Sequence, residues 1–172
     1  MWDIGQAIQE SRVIEITYSK RNGEKVTRRL EPLAIMFSEY YFYMTAFLEN
    51  VDRKQFAVID DSFPTIYRID RIESLKVTKD HFHIPYKDRF EEGEFRKRIQ
   101  FMVGGRLRRI KFWYKGQAVE AILDRLPTAK IIRETEQGLL IEAEVFGDGV
   151  DMWLRSQGEW VEVVEEGKKV KK

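Results

Sequence analysis

Arg68 and Arg71 stand three residues apart in YRIDRI, Tyr67 to Ile72, with Asp70 between them. A guanidinium group is a planar fork that grips phosphate or carboxylate oxygens two at a time. Upstream, YYFYMTAF from Tyr40 to Phe47 crowds aromatic rings into one short stretch. Cations beside aromatic faces suit a planar, anionic ligand such as a nucleotide or a nucleic-acid end. Neither stretch arranges an acid–base pair or an activated nucleophile, so binding rather than bond breaking is the expected chemistry.

Each candidate has a plainer role open beside the binding role. Asp70 and Glu73 can pair with the two arginines on the surface, which stabilises little. In a regular strand residues three apart face opposite sides, so only a bend at Asp70 brings both arginines to one rim. Tyr43 can stack on a base or donate its hydroxyl to a phosphate; it can equally be core. Arg29, just before Pro32, either joins that rim or sits on a solvated strand face. Arg12 caps the same pocket or pairs with Glu10 or Glu15. His81 and His83 share one side of HFHIP, but only Asp80 and Asp88 lie near them and the chain has no cysteine. No metal site, no cofactor and no catalytic residue is therefore expected. MVGGRLRR has two glycines but no helix after them, unlike a phosphate-binding loop.

The elements that must hold these residues can be read from periodicity. Met1 to Ser11 spaces Ile4, Ala7, Ile8 and Ser11 on one helical face. RVIEITY alternates as a strand, Asn22-Gly23 signals a hairpin, and the returning strand must bulge or lie at an edge at Pro32. Tyr40 to Phe47, Gln55 to Ile59, TIYRID and ESLKVTK are further strands, with a turn at Asp60-Asp61-Ser62 and Pro64. One helix followed by five or six short strands predicts a small, strongly bent sheet of Sm-like or SH3-like barrel size over residues 1–84. The charged stretch 85–105 reads as a linker with room for one helical turn or two.

Residues 106–166 carry a second rhythm. RLRRIKFWY alternates with Ile110, Phe112 and Tyr114 on one side. QAVEAILDRL is a helix stopped by Pro127, AKIIRET and LLIEAEVF are strands, VDMWLRSQ is a helix ended at Gly158, and WVEVVE closes the domain. That order, βαββαβ, is the ferredoxin-like arrangement. Lys111, Trp113 and Tyr114 are expected on an outer strand, where they either read a single strand or pack on a partner copy, the second being favoured. The last residues, 167–172, read as a frayed tail. The fold class is thus α+β, a barrel with a leading helix and then a ferredoxin-like domain.

Composition narrows the function. The chain of 172 residues is 43% hydrophobic and 13% aromatic, ample for folded cores. Its formal net charge is +1, from 30 basic and 29 acidic side chains. A generic polyanion binder would be strongly basic, so any nucleic-acid contact must be local. There is no signal peptide and no apolar run of roughly 20 residues, so no membrane association is expected and a cytoplasmic location is.

The first half resembles the WYL domain of bacterial transcription regulators. The resemblance is carried by AIQESRVIEITY at Ala7 to Tyr18, RRLEPLAI at Arg28 to Ile35, FYMTAF at Phe42 to Phe47, and YRIDRI at Tyr67 to Ile72. Phe42, Tyr43 and Met44 stand where the family has Trp-Tyr-Leu, and Thr65 stands where it often has a further arginine. MWLRSQGEWVEVVE in the second half is similar to the end of the extension that usually follows a WYL domain. The resemblance implies an Sm-like or SH3-like barrel that senses a nucleotide or single-stranded DNA. It also implies a helix-turn-helix domain that reads DNA, in a longer chain or on a partner.

Two expectations follow. In the first, the chain is a ligand-sensing regulatory module that binds a nucleotide or single-stranded nucleic acid through Arg29, Tyr43, Arg68 and Arg71 and forms a homodimer through its second domain. In the alternative, it is a non-catalytic accessory subunit that associates with full-length WYL regulators and binds no ligand itself.

Overall fold

The computed structural model describes residues 1–50, 64–86 and 89–164. The strand expected at Gln55 to Ile59, the turn after it and the tail lie outside these residues. The chain is α+β, with two antiparallel sheets in two compact units, Met1–Glu92 and Gly93–Lys172.

The first unit opens with α1 (Trp2–Gln9), which buries Ile4 and Ala7. Then come β1 (Arg12–Ser19), β2 (Lys25–Ser38), β3 (Tyr41–Leu48), β4 (Thr65–Arg68) and β5 (Ile72–His81). The Asn22-Gly23 turn forms as its residues require: Gly23 takes φ 81°, and the Asn22 side chain accepts from the Glu24 N–H at 3.1 Å. Along β2, the pairing with β3 slips by one residue between Pro32 and Ala34. Proline has no N–H to donate, and a bulge there bends a strand of 14 residues.

The strand order is β4-β3-β2-β1-β5, so β4 and β5 are the two edges. Only the 3-10 turn Ile69–Arg71 joins them. Laid flat, those edges would be four strand spacings, about 19 Å, apart. One 3-10 turn rises only about 6 Å. The sheet must therefore curl on itself. Contacts between β1 and β4 carry the closure: the Arg68 N–H donates to the Tyr18 hydroxyl at 3.3 Å, and the Tyr18 and Tyr67 rings meet edge to face at 5.2 Å. Inside the curl lie Ile4, Ala7, Ile14, Ile16, Leu30, Met44, Ala46 and Tyr67. Each such large aliphatic contributes about 1.5–3 kcal/mol on burial.

In the second unit α2 (Glu92–Arg98) precedes β6 (Leu107–Tyr114), α3 (Val119–Arg125), β7 (Lys130–Thr135), β8 (Gly138–Phe146), α4 (Gly149–Ser156) and β9 (Val161–Val163). The sheet order is β7-β8-β6-β9, with every neighbour antiparallel. Ile110, Phe112, Tyr114, Ile141, Ala143 and Val145 point to the helix side and bury against Ile122, Leu126, Val150 and Leu154.

One sequence reading differs from the structure. Strand β6 lies between β8 and β9 rather than at the outside, and Tyr114 is core. Strict alternation sends Tyr114 to one side of β6 and Lys111 and Trp113 to the other. That other face is charged: Arg109 lies 3.2 Å from Glu144, and Lys111 lies 3.2 Å from Glu142. The stretch 85–105, read as a linker with room for one helical turn or two, contains α2. Phe95 is buried against Phe146 at 5.4 Å, and Ile99 is buried and bridges to Phe146. Phe95 and Ile99 are four apart and share one helical side. Charged neighbours hide that pair in the sequence.

Candidate functional site

The site is built on β3 and β4 and on the turn that follows them. The strands pair with Tyr43 opposite Arg68, Met44 opposite Tyr67 and Thr45 opposite Ile66. Opposed residues share a face, so Met44 and Tyr67 enter the core while Tyr43 and Arg68 face outward together. Tyr41, two residues before Tyr43, lies on the same outward face.

There the Arg68 guanidinium stacks on the Tyr41 ring, 3.7 Å from its centre. Its fork is closed by Asp70, with Nε donating to Oδ1 at 2.9 Å and Nη2 to Oδ2 at 2.5 Å. The carboxylate holds Arg68 in its charged form, and the arginine in turn lowers the Asp70 pKa below the usual range. Burial raises the pKa of the Tyr43 hydroxyl, opposed by the nearby Arg68 charge. Phe42 and Phe37 meet at a tilt of 54°, ring centres 5.0 Å apart, on the same hairpin, 43% and 52% exposed.

Arg71 ends the 3-10 turn, within electrostatic reach of Asp70. Among the described residues it forms no ion pair. The chain bends through this turn at Asp70.

Arg29 is placed elsewhere. It lies on β2 opposite Glu15, and its carbonyl accepts from the Glu49 N–H past the end of β3. Tyr43 lies six residues away along that strand, about 20 Å at the strand rise. The Arg29 guanidinium is held by Glu49 through Nε and Nη2 and by Asp80 at 2.6 Å. Arg12 donates to the Thr78 carbonyl and pairs with Glu10. His81 Nδ1 lies 3.1 Å from the Glu10 carbonyl. Among the described residues no cluster of three or more His, Asp or Glu side chains could hold a metal ion, and no helix is long and apolar enough to cross a membrane.

The structure thus brings Tyr43 and Arg68 together, keeps Arg71 on the adjoining turn and leaves Arg29 apart. Tyr41 escaped the sequence reading. Its signal was the two-residue step from Tyr43, which fixes the face but not the register against β4.

The WYL domain family model matches residues 2–77. This stretch is a WYL domain. Every strand of the curled sheet falls within or at the end of it. Of Phe42, Tyr43 and Met44, which the sequence resemblance sets at the Trp-Tyr-Leu position, the middle residue is the one that faces Arg68. No curated protein matches the chain. Among solved structures it is similar to a CRISPR Cas-related protein, with a TM-score of 0.55 and 18% identity over 95% of this chain and 45% of that one. It is also similar to proteasome accessory factor B/C of Arthrobacter aurescens, with a TM-score of 0.40 and 19% identity over 96% of this chain and 24% of that one. The likeness to the first is one of fold. The chain spans less than half the length of either.

Proposed function

We propose that the chain is a ligand-sensing regulatory module of a bacterial transcription regulator, with a nucleotide or single-stranded nucleic acid bound on the outer face of β3 and β4. The observation that carries this is the Arg68 guanidinium lying over the Tyr41 ring beside Tyr43, with Arg71 at the end of the adjoining turn. Arg68 and Arg71 take anionic oxygens, and Tyr41 and Tyr43 offer faces to a base. Arg29 stays with its carboxylates and supports the fold.

The curled five-strand order with its 3-10 closure supports an Sm-like or SH3-like barrel for the first unit. The order β7-β8-β6-β9, with helices between β6 and β7 and between β8 and β9, supports a ferredoxin-like second unit. We assign homodimerisation to that unit, on the exposed apolar side chains Trp160 and Val163 beside its β9 edge. A helix-turn-helix domain, in a longer chain or on a partner, converts the ligand state into DNA affinity. The module is non-catalytic and cytoplasmic.

The test is fluorescence anisotropy with a short fluorescein-labelled oligothymidylate. Arg68→Ala and Arg71→Ala each weaken binding about tenfold, the scale of one charged hydrogen-bonding group. Unchanged affinity in both variants would remove this face from the function.

A further inference from the structure

We propose that Asp70 is an internal competitor for the ligand of Arg68: its carboxylate fills the guanidinium fork of the free protein, and ligand binding begins with its displacement. This rests on the reading of Arg68 as an anion contact and adds what regulates that contact.

The geometry is that of a bound anion. Both carboxylate oxygens face the fork, at 2.9 and 2.5 Å, in the two-point arrangement that a phosphate would take. The Tyr41 ring covers one face of the guanidinium. An incoming anion that grips the arginine by this same Nε–Nη2 edge must therefore displace Asp70. The carboxylate sits two residues along the chain, so its effective concentration at the fork is high. It is also half exposed and carried on a turn, so it can swing into water without opening the core.

Two consequences follow. Apparent affinity is reduced by the fraction of molecules whose fork is open. A lone carboxylate exchanges like for like with Asp70 and gains nothing. A ligand that adds a second anionic group for Arg71 and a planar ring for the aromatic faces gains enough to win. Asp70 is then a specificity-determining residue, favouring phosphate-bearing planar ligands over small carboxylates.

The experiment uses the full chain and the labelled oligothymidylate at fixed salt, with wild type, Asp70→Asn, Asp70→Ser, Arg68→Ala and the Arg68→Ala/Asp70→Asn double variant, each melted to establish folding. Asp70→Asn is isosteric and keeps the turn; Asp70→Ser also removes the carbonyl oxygen that asparagine can still offer. The expected result is binding about threefold to tenfold tighter in both single Asp70 variants, with the gain absent when Arg68 is also replaced. A gain that persists without Arg68 is general electrostatics and overturns the proposal. Unchanged or weaker binding in both Asp70 variants, with Arg68→Ala still harmful, also overturns it while leaving the Arg68 site standing. Oligothymidylate binding by none of the proteins, the Asp70 variants included, overturns the site itself.

Discussion

Three arginines that look alike in sequence end in three physical states. Arg68 is stacked on a ring and forked by Asp70, Arg71 has no ion pair among the described residues, and Arg29 is clamped by Glu49 and Asp80. The first was legible, since Asp70 is two residues away. The third was not, because its partners lie 20 and 51 residues distant and meet it only once β2, β3 and β5 are assembled. The clamp has a pH signature. Arg29 lowers the Glu49 pKa, chiefly through their hydrogen bonds. A carboxylate with a depressed folded-state pKa stabilises the fold above its unfolded value and loses that contribution as pH falls through the folded one. Arg29→Gln should therefore melt below wild type at neutral pH, with the gap closing below about pH 4. Its oligothymidylate affinity should match wild type. A gap that widens on acidification would contradict the clamp.

Elements were more legible than contacts. Alternation in RLRRIKFWY and LLIEAEVF sets the buried faces of β6 and β8, and Asn22-Gly23 and Pro32 mark the turn and bend of the first sheet. Helix α2 was less legible because seven residues with one buried ring leave little periodicity. Its loop is nevertheless tightly fitted to the start of α4. A Cβ on Gly149 would come within 2.1 Å of the Gln100 carbonyl oxygen, so that backbone approach requires glycine. If α2 belongs to the second unit's core, Phe95→Ala leaves a cavity beside Phe146 and costs about 3 kcal/mol in urea unfolding. A loss below about 1 kcal/mol would mean that the helix is peripheral.

At the scale of the molecule, charge balance and topology point the same way. A net charge of +1 gives no broad basic surface, and the outer face of the second sheet neutralises itself through pairs such as Arg109–Glu144 and Lys111–Glu142. Affinity for an anion must come from a local site. The strand order was not legible from periodicity, which gives faces but not neighbours. It is that order, joining the two sheet edges by one short turn, that sets Arg68 and Arg71 on adjoining elements beside the aromatic hairpin.

The most direct measurement is amide chemical-shift mapping of the isotope-labelled full chain during titration with a short oligothymidylate. Our account predicts saturable shifts centred on Tyr41, Tyr43 and Arg68 to Arg71, with Arg29 and Asp80 unmoved. Shifts confined to the second unit, or centred on the Arg29 clamp, would contradict it.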